Sequence, residues 1–451
     1  MAIVSGRREP WSGYVKKFFG NFIVGHWLIR PQLLSRSTRF GVGARRQSAR
    51  LADFASHQEG ARQRNQGAII MQRKRLVTLI AYRMLSIAGI ASLSIGAAYT
   101  QVAFLPRLVV SSTIPQNGDL NPYGVAFVPQ SFPGGGLIAP GDVLISNFNN
   151  SNNVQGTGIT IVKLTPNGTI APTPVPPGSP GSAFTFFTST PTGLTTALGV
   201  LRGGFVLVGN VPSNGTFNTI SQGSLQIINR NGTLAQAPLI DSVFLDTPWD
   251  LAINDNGDQA QVFVSNVKSG TVSRLDLAVG HSDVTVLKRT EIAMGYTVQP
   301  NDTALILGPT GLAYEKDTDT LYVASTADNQ IFAVPHAGKA VSFVTKGTPI
   351  FANPNLRGPL ALVFAPNGNL LTSNGDAQNP DATHPSEIVE FTKSGQFVRQ
   401  FNVDASQGGA FGIATVLSGN PRFNFAAVDD VPNIISVYSL PFGQNQNQNQ
   451  Q

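Results

Sequence analysis

The chain has 451 residues, 41% hydrophobic and only 12% charged, with 46 glycines and 30 prolines. Such a hydrophobic share excludes a disordered chain, and so much Gly and Pro excludes a mainly helical one, because both residues interrupt helices and mark turns between short elements. Cysteine is absent, which removes disulfides, zinc-thiolate centres, iron-sulfur clusters and thiol nucleophiles. The net charge of +6 is unevenly spread: Lys and Arg outnumber Asp and Glu by 12 to 3 in residues 1–70 and by 4 to 0 in 71–100, whereas residues 101–451 carry 15 against 22. A mildly acidic body is repelled by a phosphate backbone, so nucleic acid is not an expected partner.

Residues 1–70 are basic and, from Arg36 to Arg64, rich in Arg, Ser, Gly and Ala without a sustained period. They are expected to be a disordered leader, and to precede the true start of translation at Met71; Trp11, Phe18, Phe19, Phe22 and Trp27 leave a membrane-surface segment as the other reading. Residues 71–100 open with Arg73, Lys74 and Arg75, continue through Arg83 into an uncharged run from Met84, and end on the small residues Gly96, Ala97 and Ala98. This is the layout of a secretory signal peptide with cleavage near Tyr99, and the run is short of the roughly 20 apolar residues a membrane span needs. A secreted or periplasmic address follows, or a membrane anchor if the segment stays uncleaved. At the far end, residues 442–451 form a Gln/Asn tail expected to be disordered.

Between these ends lies the body, residues 101–441, in which one pattern recurs six times between Asn121 and Leu440. Each copy has a Pro/Thr/Gly turn and a short apolar strand, a polar turn, a second apolar strand ending in Asn or a similar residue, and a third alternating strand. The first copy reads Pro122, Gly124–Phe127, then Asp142–Asn147, then Ile159–Leu164; the fourth reads Pro309, Gly311–Tyr314, then Leu321–Ser325, then Gln330–Val334. Corresponding positions Gly124, Gly193, Asp250, Gly311, Ala361 and Gly412 are 69, 57, 61, 50 and 51 residues apart, which suits four short antiparallel strands plus loops. A four-stranded sheet of this size cannot bury both faces alone, whereas six packed radially about an axis bury every face. The expected fold is therefore all-β, a six-bladed β-propeller of four-stranded antiparallel blades preceded by a signal or anchor helix. Glycine at the head of the first strand suits the crowded axis, and Phe104–Thr113 is expected to close the ring by pairing outside Ile434–Tyr438.

The units, with their Pro-x-Gly-Val-Ala strand and Val-Tyr-Val-Ala-Ser-like second strand, resemble the NHL-repeat family, with the SMP-30/gluconolactonase-like propellers as more distant relatives. The chain departs from the NHL pattern in the long insertions Gln130–Gly141 and Thr169–Ser189 and in lacking an Asn-x-Arg pair before the third strand.

The favoured reading is a non-catalytic binding or interaction module, since a propeller scaffold hosts unrelated activities and the resemblance fixes none. The second strands end in Asn147, Asn210, Asn266, Asn374 and Asp429, which antiparallel geometry returns to one face as a ring of donors and acceptors suited to a peptide, protein or glycan. The connection after Asn374, with Asp376, Asp381 and His384, is longer than a hairpin needs and is expected on the rim of that surface. The gluconolactonase-like likeness implies instead a Ca²⁺-dependent hydrolase, with the metal over the central channel on a Glu, Asn and Asp at first-strand entrances. Here those entrances offer Tyr123, Thr192, Asp250, Thr310, Leu360 and Phe411, so Asp250 is the one carboxylate available to a metal. No other cofactor is expected, no pair of histidines has ligand spacing, no Gly-x-Ser-x-Gly elbow occurs, and the chain is expected to act as a monomer.

Overall fold

The computed structural model describes residues 107–165, 183–375, 387–403, 409–416 and 422–441. The leader, the signal or anchor segment and the Gln/Asn tail lie outside the described residues, as do Asp376, Asp381 and His384.

Six sheets account for the strands, antiparallel throughout except that Val344–Thr345 pairs parallel to Val284–Met294 as a fifth strand of blade 3, with one extra two-stranded hairpin, Gln299–Asn301 with Leu305–Leu307. Their first strands are Leu120–Phe127, Leu194–Leu201, Pro248–Asp255, Pro309–Glu315, Pro359–Phe364 and Ala410–Val416. Each packs against the next around a ring that closes between the last and the first. The chain is a six-bladed β-propeller. Blade 6 is completed by Arg107–Ser112, which runs antiparallel to its third strand from Arg107 opposite Ser439 to Ser112 opposite Ile434. The expected closure is thus observed, and it hides an edge of each terminal strand from outside pairing.

The second strands read as continuous apolar runs rather than alternating ones because each blade is covered on both faces. Val143 and Ile145 pack toward blade 6 while Leu144 packs toward blade 2. Phe263 faces blade 4 while Val262 and Val264 face blade 2. The interior is accordingly divided into apolar layers between neighbouring blades rather than one central mass, and the axis itself is left to the first strands.

Glycine at the strand heads has a steric cause. A Cβ on Gly124 would fall under 3.0 Å from the Thr196 carbonyl, one on Gly311 from the Leu360 carbonyl, and one on Gly412 from the Tyr123 carbonyl. Backbone meets backbone between successive blades at this level.

Blade 2 departs from expectation on two points. It has three strands, Leu194–Leu201, Phe205–Asn210 and Ser224–Asn229, instead of four. The following segment touches the third only through isolated bridges, Leu234 to Ile228 and Leu239 to Leu225, and Pro238, which has no N–H to give a ladder, lies between them. Its first strand also begins one residue after Gly193, which has φ +123° and stands in the entering turn. Leu194 is the residue opposite Asn210, and an irregularity between Leu194 and Leu198 makes up the register.

Candidate functional site

The six first strands enclose a channel of about 610 Å³. Val125, Leu198, Leu251, Leu312, Leu362 and Ile413 are among the lining residues, but polar atoms make up about half of the exposed wall. The two ends differ. Where the first strands begin, the side chains following the entering turns meet in a buried aromatic cluster. Tyr123 stacks on Phe148 at 4.7 Å between ring centroids and meets Phe411 edge-on at 5.0 Å, and Trp249 meets Phe148 at 5.6 Å. Leu360 and the hairpin residues Leu305 and Ile306 belong to the same cluster. Tyr123 lines the channel on one side and a smaller cavity of about 240 Å³, beside Asn149, Asn153 and Gln155, on the other. The channel is therefore blind at this end. Where the first strands finish, Gln130, Ser131 and the exposed Arg202 lie at its mouth.

Asp250 is the carboxylate among the channel-lining residues. It occupies the strand-head position held by Gly124, Gly311 and Gly412 in blades 1, 4 and 6, so it places a carboxyl where those three blades have no side chain. Its Oδ1 accepts the Leu251 N–H at 2.8 Å, and its Oδ2 accepts the Leu312 N–H of blade 4 at 3.2 Å. Elsewhere this seam is held by hydroxyls: Ser146 donates to the Thr195 carbonyl, and Thr310 and Thr326 donate to the Pro359 carbonyl. Burial pushes the Asp250 carboxyl up to about 8, against the pull of its two N–H donors toward the ionised form. At neutral pH the group is mainly a neutral acid that can both donate and accept, and its side chain is partly open to the channel.

Of the other entrance residues, Tyr123, Leu360 and Phe411 belong to the aromatic cluster, Thr310 is buried in the seam, and Thr192 stands before its strand begins. The residues at this end are thus mainly apolar. Among the described residues no group of three or more His, Asp or Glu could hold a metal ion, so Asp250 brings one carboxylate to a set that would have to be completed by carbonyls and water.

The ring of second-strand ends is present but faces inward. Asn147, Asn210, Asn266, Asn374 and Asp429 are all fully buried. Four of the amides do the same thing: the side-chain Nδ2 donates to a carbonyl of the segment leading into the same blade, Asn147 to Thr113, Asn210 to Pro191, Asn266 to Phe244 and Asn374 to Asn355. Asp429 accepts the N–H of Val431. These side chains fasten the entering segments and turns of their own blades; as placed, they lie beneath the face rather than on it.

No protein-family model matches the sequence, and no curated protein matches it. Solved structures similar to this chain include a gluconolactonase from Xanthomonas campestris (13% identity, TM-score 0.44, covering 76% of this chain and 94% of that one). They also include a calcium-binding protein, regucalcin, from Agrobacterium tumefaciens (13%, 0.42, 73% and 95%) and a luciferin-regenerating enzyme (12%, 0.44, 75% and 96%). At such identities these likenesses transfer no residue role and no activity to this chain.

Proposed function

We propose that this chain is an exported, non-catalytic NHL-like propeller that binds a small molecule in its central channel, entered from the end where the first strands finish. One observation carries the reading: a channel blind at one end, its wall part apolar and part polar, has near its closed end a carboxyl group that is mainly uncharged at neutral pH. Apolar side chains combined with a small number of placed polar groups are the usual composition of a small-ligand site. The ligand class that fits is a slender apolar body with one uncharged head, an amide or alcohol, able to exchange hydrogen bonds with a carboxylic acid. Export rests on the residue 71–100 pattern, and the protein acts as a monomer. Calorimetric titration with hexanamide and hexanoate tests the binding. Hexanamide should bind, hexanoate should not, Asp250→Asn should retain the amide because it resembles the neutral acid, and Asp250→Leu should weaken it about tenfold. Equal binding of both compounds by wild type and Asp250→Leu would refute it.

A second reading, Ca²⁺-dependent hydrolysis of the lactonase kind, rests on the same carboxyl at the strand head. The two separate at Asp250→Asn, which leaves amide binding intact under the first reading and removes Ca²⁺ binding under the second. Calorimetric titration with Ca²⁺, alongside hydrolysis of a simple aldonolactone, decides between them.

A further inference from the structure

The channel carries polar groups at both ends, and those at the mouth place a second demand on its ligand. Among the described residues that line it, Asp250 is the acidic one and Arg202 the basic one. Asp250 lies near the start of the strand Pro248–Asp255, and Asp255 ends it. The main-chain N–H of Arg202 donates to Asp255 Oδ2 at 2.6 Å, which sets Arg202 level with that strand end. Asp255 Oδ1 accepts the Gly257 N–H at 2.7 Å, so this carboxylate is taken up by main-chain donors. Among the described residues no carboxylate forms an ion pair with the Arg202 guanidinium. Gln130 and Ser131, both exposed, line the mouth as well. The mouth therefore offers a cation, an amide and a hydroxyl, with no lining acid to compete for them.

The register of the strand gives the distance between the two ends. Asp255 is five residues beyond Asp250, about 16 Å along an extended strand. An arginine side chain folded back over the mouth shortens this, which leaves about 10–16 Å between carboxyl and guanidinium. Leu251, Ile253, Val200 and Val363 also line the channel. At about 1.25 Å per bond, an extended chain bridges the interval in roughly eight to twelve bonds.

We infer that Arg202 determines the specificity of the channel, by selecting a linear ligand whose far end carries a carboxylate while its uncharged head meets Asp250. This rests on the channel reading and adds a second recognition group to it. The planar guanidinium matches a carboxylate with paired hydrogen bonds. A carboxylate held at Arg202 alone is a solvent-exposed pair of small worth, so hexanoate gains little there. Once the head is anchored, the second contact is intramolecular and adds to the affinity.

Calorimetric titration of the full chain tests this with decanedioic acid monoamide and 10-hydroxydecanamide, which share head and length and differ in charge. The carboxylate should bind about fivefold tighter at low salt, and its advantage should vanish near about 1 M salt, where charges are screened within about 3 Å. Adipic acid monoamide, too short to span the interval, should gain nothing over 6-hydroxyhexanamide. Arg202→Gln keeps the main-chain N–H that Asp255 holds and alters an exposed side chain, so the fold is retained. It should bring the long carboxylate down to the affinity of 10-hydroxydecanamide and leave the latter unchanged. Asp250→Leu should weaken both long ligands by the same factor, because the two ends are too far apart to couple. Equal affinity of the two long ligands, an advantage that survives Arg202→Gln, or the same advantage in the six-carbon pair would each overturn this inference and leave the channel reading standing. Binding of none of these compounds would overturn both.

Discussion

Replacing Asp250 by Asn should change how the stability of the propeller depends on pH. Its carboxyl is raised from 3.8 to about 8 in the folded chain, so between these values the folded state holds a proton that the unfolded state has released. An acid of this kind makes stability fall as pH rises through that window. The slope is 1.36 kcal/mol per pH unit, which gives at most about 4 kcal/mol lost between pH 5 and pH 8, and channel water screening the carboxylate brings this to about 2–4 kcal/mol. For a body of this size that is roughly 3–6 °C in melting temperature. Asn cannot titrate; it gives up one acceptor toward Leu251 or Leu312 and so shifts the whole curve by a constant amount. Melting curves of both proteins at half-unit pH steps should therefore diverge steadily from pH 5 to pH 8, with the variant gaining on the wild type. Parallel curves, or a wild type that gains on the variant as pH rises, would refute the reasoning, the latter because it is the signature of a lowered carboxyl.

Gly412→Ala should destabilise the fold by about 1–3 kcal/mol in urea melts, since its Cβ would press on the Tyr123 carbonyl across the seam where the ring closes. Asn266→Ala should cost about 1–3 kcal/mol in the same assay by leaving the Phe244 carbonyl without its donor, and should leave hexanamide binding unchanged. Removing residues through Ser112 uncovers the strand from Ile434 to Ser439, and light scattering should report self-association that the intact chain lacks.

The blade count, the closure and the strand-head glycines were legible in the sequence because each follows from repetition and close backbone approach. Gly124, Gly311 and Gly412 are small for the reason their spacing suggests. Blade 2 was misread at Gly193 because a glycine in an entering turn and a glycine at a strand head look alike until the pairing of Leu194 with Asn210 fixes the register. An amide at a strand end can face solvent or hold the entering segment, and the pattern alone does not distinguish the two; the fold shows that Asn147, Asn210, Asn266 and Asn374 do the second. Asp250 stood out as the one carboxyl among small residues at its repeat position, but the aromatic closure beside it depends on Phe148 and on the hairpin at Leu305, which lie outside the repeated pattern.

A crystal structure of the protein soaked in hexanamide tests the channel site most directly. The account predicts one molecule inside the channel, its head within hydrogen-bond reach of Asp250 and its chain running along Leu362 and Ile413 toward the open end. An empty channel at saturating ligand, or a molecule lodged instead on the far side of Tyr123 beside Asn149 and Asn153, would contradict it.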